Sequence, residues 1–142
     1  MICGPIVNVD LKVVLDASAL LRLYLSDGVL PEGLEQVLEG ASRGEVLIVV
    51  PDLLYLEAAS VLTKQVRFQL LSLDQARGLL QEIGRLPLRS VPSSELKMDA
   101  LTIALADGLT VYDAAYLALA RRERARLLTV DSKLQKAAQT NM

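Results

Sequence analysis

Two acidic residues come directly after short apolar segments of the kind that form buried strands. Asp16 follows Val-Val-Leu, and Asp131 follows Leu-Leu-Thr-Val. In an open parallel sheet, ligands bind in the crevice at the carboxyl ends of the strands. We therefore expect both carboxylates to lie at the mouth of the fold, where they can meet a ligand.

Two more acids have mostly apolar neighbours. Glu57 lies beside Leu56 and Ala58, and Asp113 precedes Ala114 at the start of an alanine- and leucine-rich helix. An acidic side chain in such surroundings is costly unless a cation accompanies it. If the fold brings the four acids together, they repel one another unless a divalent cation lies among them. Oxygen ligands of this kind favour Mg²⁺ or Mn²⁺.

Each acid also has a purely structural explanation. An Asp at a helix start is most often an N-cap, which stabilises the helix by about 1 kcal/mol. Asp113 and Asp131, taken one at a time, fit that role, and Glu57 alone fits a solvated surface position. The set of four, each at a strand end or in an apolar setting, is what favours a metal site.

The missing residue types narrow the chemistry. The chain has no histidine and one cysteine, Cys3. This composition excludes histidine-dependent nucleophilic catalysis, histidine-ligated zinc and an intramolecular disulfide, and it is consistent with a reducing cytoplasm. The formal net charge of −2 argues against broad, nonspecific binding of duplex nucleic acid, although a local basic patch is compatible with it.

The length of 142 residues suits one domain with a real core. We expect residues 11–142 to form that domain. Residues 1–10 contain Gly4 and Pro5, do not resemble a signal peptide, and are predicted to be a poorly ordered extension. Hydrophobic residues make up 52% of the chain, but their runs are far shorter than the roughly 20 residues of a membrane span. The apolar surplus therefore predicts a homodimer or a bound protein partner.

The order of the predicted elements indicates an α/β fold. Strand-like apolar runs alternate with helical patterns, which predicts a parallel sheet covered by helices on both faces. Pro87 places the third strand at a sheet edge. The predicted strands are residues 13–15, 46–50, 86–91 and 126–130. The predicted helices begin at Asp16 or Ser18, Pro31, Asp52, Ser72, Ser93, Asp113 and Asp131.

Four segments that contain the four acids resemble the ordered motifs of the PIN-domain ribonucleases. They are Val-Leu-Asp-Ala-Ser-Ala-Leu at 14–20, Pro-Asp-Leu-Leu-Tyr-Leu-Glu-Ala-Ala-Ser-Val-Leu at 51–62, Thr-Val-Tyr-Asp-Ala-Ala-Tyr-Leu-Ala-Leu-Ala at 110–120 and Leu-Leu-Thr-Val-Asp-Ser-Lys-Leu at 127–134. The chain length and the motif order resemble the VapC toxins of toxin–antitoxin pairs. The resemblance covers nearly everything from residue 11 onward.

The resemblance implies a three-layer α/β/α fold around a parallel sheet of four to five strands. It implies hydrolysis of RNA phosphodiester bonds with Mg²⁺ or Mn²⁺, at catalytic and metal-binding acids that correspond to Asp16, Glu57, Asp113 and Asp131. Ser18 and Thr129 match hydroxyl positions near that site, although a helix cap and an ordinary strand residue are their structural alternatives. An RNA substrate, a cognate antitoxin, a homodimer and a cytoplasmic location are also implied.

Other functions are compatible with the same residues. The fold could serve as an RNA-binding or scaffold protein without strong nuclease activity. Asp16 could be the nucleophile of an aspartyl phosphatase, although such enzymes usually carry a second Asp where this chain has Ser18. The chain could also act mainly as an interaction protein within a toxin–antitoxin complex.

Several basic and aromatic residues are candidates for RNA contact. Arginines at a helix end also suit the helix dipole, and buried helix positions suit the tyrosines better than base stacking. The candidates for guiding RNA are Arg22, Lys64, Arg67 and the arginines of residues 121–124, and those for stacking are Tyr24 and Tyr116.

Overall fold

The computed structural model describes residues 11–25, 28 and 30–140. The predicted extension, residues 1–10, lies outside this described part of the chain. The strands are β1 (Lys12–Leu15), β2 (Leu47–Pro51), β3 (Leu88–Val91) and β4 (Arg126–Leu128). The helices are α1 (Ala17–Leu21), α2 (Leu34–Ser42), α3 (Leu53–Arg67), α4 (Leu73–Gly84), α5 (Lys97–Asp107), α6 (Val111–Glu123) and α7 (Ser132–Thr140), and a 3₁₀ turn spans Ser93–Leu96.

The four strands pair in one parallel sheet with the order β3-β2-β1-β4. In the middle of the sheet, Val14 of β1 pairs with Val49 of β2 on one side and with Leu127 of β4 on the other. β3 lies at an edge, as Pro87 predicts. Because the strands are parallel, the residues that follow them lie along the same end of the sheet, where ligands bind in such folds.

Helices cover both faces of the sheet. Successive side chains of a strand point to opposite faces, and Val13, Val14 and Leu15 of β1 are all at most 1% exposed. Helix α6 packs on β1 and β2, and its residues 114–120 are buried without interruption. Helix α2 also contacts β2. The predicted α/β/α architecture with a buried parallel sheet is confirmed.

Helices α5 and α6 pack against each other. In contrast to α6, α5 leaves Met98, Leu101 and Leu105 exposed to solvent. Within the described ranges, no single helix is long and apolar enough to cross a membrane. The bent pair Ser93–Asp107 and Val111–Glu123, with 112° between its halves, passes that test by length and composition alone.

Three helices begin at different residues from those predicted. Helix α5 begins at Lys97 instead of at Ser93, because residues 93–96 form the 3₁₀ turn. Helix α2 begins after Gly33 instead of at Pro31, because Gly33 has a φ of 87° and serves as the N-cap. This left-handed conformation favours glycine. Helix α6 begins after Thr110, whose side chain accepts a hydrogen bond from the Asp113 N–H. The prediction that Asp113 opens α6 is therefore wrong, and this residue lies in the first turn instead.

Candidate active site

Asp16 is buried at the carboxyl end of β1 and is only 4% exposed. Its Oδ1 accepts hydrogen bonds from the Ser18 Oγ at 2.8 Å and from the Ala19 N–H at 2.9 Å. Asp16 is therefore the N-cap of α1, and Ser18 is not. Its Oδ2 accepts a short hydrogen bond from the Thr129 hydroxyl. Both hydroxyl residues singled out in the sequence thus contact the first acid.

The neighbours of Asp16 only partly compensate its charge. Burial raises the pKa of Asp16, because a carboxylate loses hydration inside the protein. The hydrogen bonds from Thr129, Ala19 and Ser18 lower the pKa, and repulsion from Asp113 raises it again. The pKa remains raised overall. A cation at this carboxylate would therefore offset the unfavourable burial of its charge.

Asp131 is linked to Asp16 through Thr129. The Asp131 N–H donates to the Thr129 Oγ1 at 3.0 Å, and the same hydroxyl donates to Asp16. The Asp131 Oδ1 accepts the Leu134 N–H at 2.9 Å, which confirms the predicted cap of α7. The cap uses the Oδ1 of Asp131, and Asp131 is exposed to solvent. Its structural role is thus compatible with a further role towards a ligand.

Glu57 is half-buried on α3 and contacts a buried tyrosine. The hydroxyl of Tyr116, on α6, donates to the Glu57 Oε1 at 2.5 Å. Burial raises the pKa of Glu57, the tyrosine hydroxyl lowers it, and repulsion from Asp113 and Asp16 raises it. Burial and the nearby Glu57 raise the pKa of Tyr116, so its phenol stays a donor. Glu57 is therefore not a solvated surface residue.

Asp113 is half-buried in the first turn of α6. Burial raises the pKa of its carboxyl, and repulsion from Asp131 raises it further. A hydrogen bond with Thr110 and the positive charge of Lys133 oppose this rise. Lys133, in the first turn of α7, is a cationic neighbour that the sequence analysis missed, because no local pattern relates residues 113 and 133.

The four acids influence one another electrostatically. Repulsion from Asp113 raises the pKa of Asp16 and of Glu57, and Asp113 is itself affected by Asp131. Because such effects weaken with distance, these repulsions indicate that the four carboxyl groups lie in the same part of the protein. Among the residues that the structure describes, however, no three His, Cys, Asp or Glu side chains are grouped so that they could hold a metal ion. The region is an acidic site without a preformed metal cage.

The donor chemistry of this region fits Mg²⁺ or Mn²⁺. Carboxylate oxygens are the hard ligands that these ions prefer, and the raised pKa of Asp16, Glu57 and Asp113 indicates charge that the protein leaves uncompensated. Mg²⁺ usually keeps several waters and binds through one or two carboxylates plus substrate phosphate. A hydrated Mg²⁺ therefore does not require three carboxylates grouped around it.

Comparison with known families agrees with this fold. The family model for the PIN domain matches residues 13–139. The chain therefore belongs to the PIN-domain family, as a VapC-like member. It is 38% identical over 126 residues to Ribonuclease VapC3 from Pyrobaculum aerophilum. The aligned region covers 87% of this chain and 92% of that protein.

A solved structure supports the fold independently. The crystal structure of PAE2754 from Pyrobaculum aerophilum matches with a TM-score of 0.66, covering 95% of this chain and 90% of that one. The sequence identity in this comparison is 23%, so the likeness bears on the fold alone.

The predicted RNA-contacting residues lie in varied surroundings. Arg122 pairs with Glu95 at 3.0 Å, and Arg121 lies 4.0 Å from Asp107, as expected of arginines at a solvated helix end. A groove of about 1040 Å³ beside β4 is lined by Arg121, Arg124 and Arg126, among other residues, and extends to Thr129. Tyr116 is buried, as expected of a core helix position. Guidance of RNA by the basic residues stays a prediction.

Proposed function

We propose that this chain is a Mg²⁺- or Mn²⁺-dependent endoribonuclease and the toxin of a toxin–antitoxin pair, acting in the cytoplasm. The observation that carries the proposal is the link between Asp16 and Asp131 through the Thr129 hydroxyl at the carboxyl end of the sheet. Repulsion among Asp16, Glu57 and Asp113 supports their closeness to this link. The similarity to Ribonuclease VapC3 supports RNA as the substrate class and a toxin as the biological role.

The four acids would hold the metal, and Asp16 would be its most rigid ligand. When bound, the ion would lower the pKa of the attacking water and stabilise the developing charge on the phosphate. The hydrogen bonds from Ser18, Ala19 and Thr129 fix the orientation of the Asp16 carboxylate before RNA arrives. A ligand that is fixed in advance loses little conformational freedom on binding. The remaining metal-binding acids are Glu57, Asp113 and Asp131.

Basic groups near the site would help the acids to accept an RNA strand. Carboxylates alone repel phosphate, and bound cations reverse the local field. Lys133 already reduces the negative potential at Asp113. The groove beside β4 has arginines in its walls and Thr129 among its lining residues. None of the four acids is among the residues that line this groove. An RNA strand held by its arginines would therefore have to extend past Thr129 to reach the acidic site.

A PIN-fold RNA-binding or scaffold protein without strong nuclease activity is the alternative. It is favoured by one observation, that no three acids within the described ranges are grouped to hold an ion. The two functions differ in whether RNA is cut, and therefore in the outcome of a cleavage assay.

The test is cleavage of a mixed RNA pool by wild type and Asp16→Asn, each with Mg²⁺, with Mn²⁺ and with EDTA. Asp74→Asn is the matched control, because Asp74 is an exposed acid in the first turn of α4. The proposal predicts metal-dependent cutting by wild type and the control, and none by Asp16→Asn. Cutting that persists in Asp16→Asn or in EDTA would contradict the mechanism. Binding of RNA without cutting by any of the proteins would favour the scaffold.

We also propose a homodimer and a cognate antitoxin as partners. The exposed apolar side chains of α5, in particular Leu101 at 54% and Leu105 at 80% exposure, support a second copy of the chain as an occupant of this face. Sedimentation at micromolar concentration should show a dimer for wild type and a monomer for Leu105→Glu. Leu70→Glu, at a residue 66% exposed in the loop after α3, should leave the dimer intact. A wild-type monomer would refute the proposal.

A further inference from the structure

The buried hydroxyl of Tyr116 joins two of the elements that carry the acids. Tyr116 is 1% exposed on α6, and its ring belongs to the hydrophobic core. Its hydroxyl donates at 2.5 Å to Glu57, which is 59 residues earlier in the sequence and on α3. Because the ring is enclosed by the core, the hydroxyl cannot move far, and the bond fixes one oxygen of the glutamate.

The same hydroxyl also lies close to the first acid. The backbone N–H of Ala17, the residue after Asp16, lies near enough to the phenol oxygen to lower the pKa of Tyr116, whereas the negative charge of Asp16 raises it. From its position on α6, the phenol therefore binds the acid of α3 and has the start of α1 nearby.

Glu57 needs such a contact to stay near the other acids. A glutamate has several rotatable bonds, and ordering it costs conformational entropy. Asp16 and Asp113 both repel its carboxylate, which favours rotamers that turn it towards solvent. A hydrogen bond to a charged group is among the stronger ones in proteins, so the Tyr116 hydroxyl can oppose that repulsion.

We propose that Tyr116 is a positioning residue, which holds the Glu57 carboxylate towards Asp16 and Asp113 so that Glu57 can take part in binding the metal. This inference rests on the proposed function. The hydroxyl occupies Oε1, and the other carboxylate oxygen is the one that would serve the ion. Partners that orient ligands in this way typically change metal affinity or activity by about 10- to 100-fold when they are removed.

The test is calorimetric titration of Mn²⁺ alone into wild type, Tyr116→Phe and Tyr24→Phe. Tyr116→Phe removes the hydroxyl and keeps the ring. Tyr24 is a half-buried tyrosine that packs against the core, and its pKa is raised by burial and by Glu82, not by any of the four acids. We expect Tyr116→Phe to weaken Mn²⁺ binding about tenfold or more and Tyr24→Phe to leave it unchanged. The metal concentration for half-maximal RNA cleavage should rise in parallel.

A double-mutant cycle shows whether the effect acts through Glu57. Once Glu57→Ala has removed the glutamate, adding Tyr116→Phe should weaken Mn²⁺ binding no further. Equal Mn²⁺ affinity for wild type and Tyr116→Phe, or an undiminished effect in the Glu57→Ala background, would overturn the positioning role while leaving the proposed function intact. A wild type that neither binds Mn²⁺ nor cleaves RNA would overturn the proposed function and the positioning role together.

Discussion

The Thr129 hydroxyl makes hydrogen bonds to two of the four acidic residues. It donates to the buried Asp16 Oδ2 and accepts the N–H of Asp131. The substitution Thr129→Val removes the hydroxyl and keeps the branched shape of the side chain. It leaves a buried carboxylate oxygen without a donor and a backbone N–H without an acceptor.

The cost of Thr129→Val can be estimated from the two lost bonds. A hydrogen bond to a charged group contributes roughly 1.5–3 kcal/mol and a neutral one about 1 kcal/mol. The added methyl group of valine returns about 0.8 kcal/mol through apolar burial, because Thr129 is 3% exposed. The net loss in the free energy of unfolding is therefore about 2–3 kcal/mol, or roughly 6–10 °C in Tm for a chain of this size.

Differential scanning calorimetry measures this loss in the absence of metal. The experiment is run at about pH 7, where carboxylates are normally ionised. Thr102→Val is the control, because the exposed Thr102 hydroxyl donates only to the Met98 carbonyl of its own helix. The control should change the free energy of unfolding by less than about 0.5 kcal/mol. If Thr129→Val is no more destabilising than Thr102→Val, the hydroxyl does not stabilise the buried carboxylate and the reasoning is refuted.

Two further predictions concern stability away from the acids. Gly40→Ala should destabilise the protein by about 1 kcal/mol, since the new Cβ would lie 2.7 Å from the Val46 Cγ2. Gly78→Ala, in open space on α4, should stabilise the protein by roughly 0.5–1 kcal/mol. Urea unfolding measures both changes, and the prediction is contradicted if both substitutions stabilise or both destabilise the protein. Asp52 accepts two hydrogen bonds from Ser93, which lower the pKa of its carboxyl in the folded protein. The contribution of Asp52 to the free energy of unfolding is therefore fully present above the pKa that this residue has in the unfolded chain. This contribution is lost as the pH falls through the lower pKa of the folded state. The Tm of Asp52→Asn should therefore lie below that of wild type at neutral pH and converge with it in acid, and a constant difference would count against this linkage.

The sheet and the position of Asp16 could be predicted because both follow from local patterns. Residues 13–15 and 46–50 are short β-branched runs between helical segments, and such alternation specifies a parallel sheet. A parallel sheet has all its carboxyl ends on one side, so the location of Asp16 follows from its position after a strand. The start of α6 was misplaced because Thr110 and Asp113 are both good capping residues, and only the hydrogen bond between them shows which one caps.

The hydrogen bonds that organise the site could not be predicted from the sequence. Thr129 contacts Asp16 across 113 residues, and Tyr116 contacts Glu57 across 59. Such contacts depend on the register of β4 beside β1 and on how α6 packs against the sheet. Neither is recorded in the spacing of residues along the chain. Thr129 is therefore identified in the sequence by the family resemblance alone, and Tyr116 only as a residue for base stacking or for the core.

The most direct test of the central claim is RNA cleavage by the four variants in which one carboxylate becomes an amide, measured with Mn²⁺ and beside Asp74→Asn. If the acids form one metal-dependent site, each variant should lose at least about 100-fold in rate, while Asp74→Asn cuts like wild type. If Asp16→Asn retains the wild-type rate, or if only one of the four variants is affected, the shared carboxylate site is contradicted. The variants are Asp16→Asn, Glu57→Gln, Asp113→Asn and Asp131→Asn.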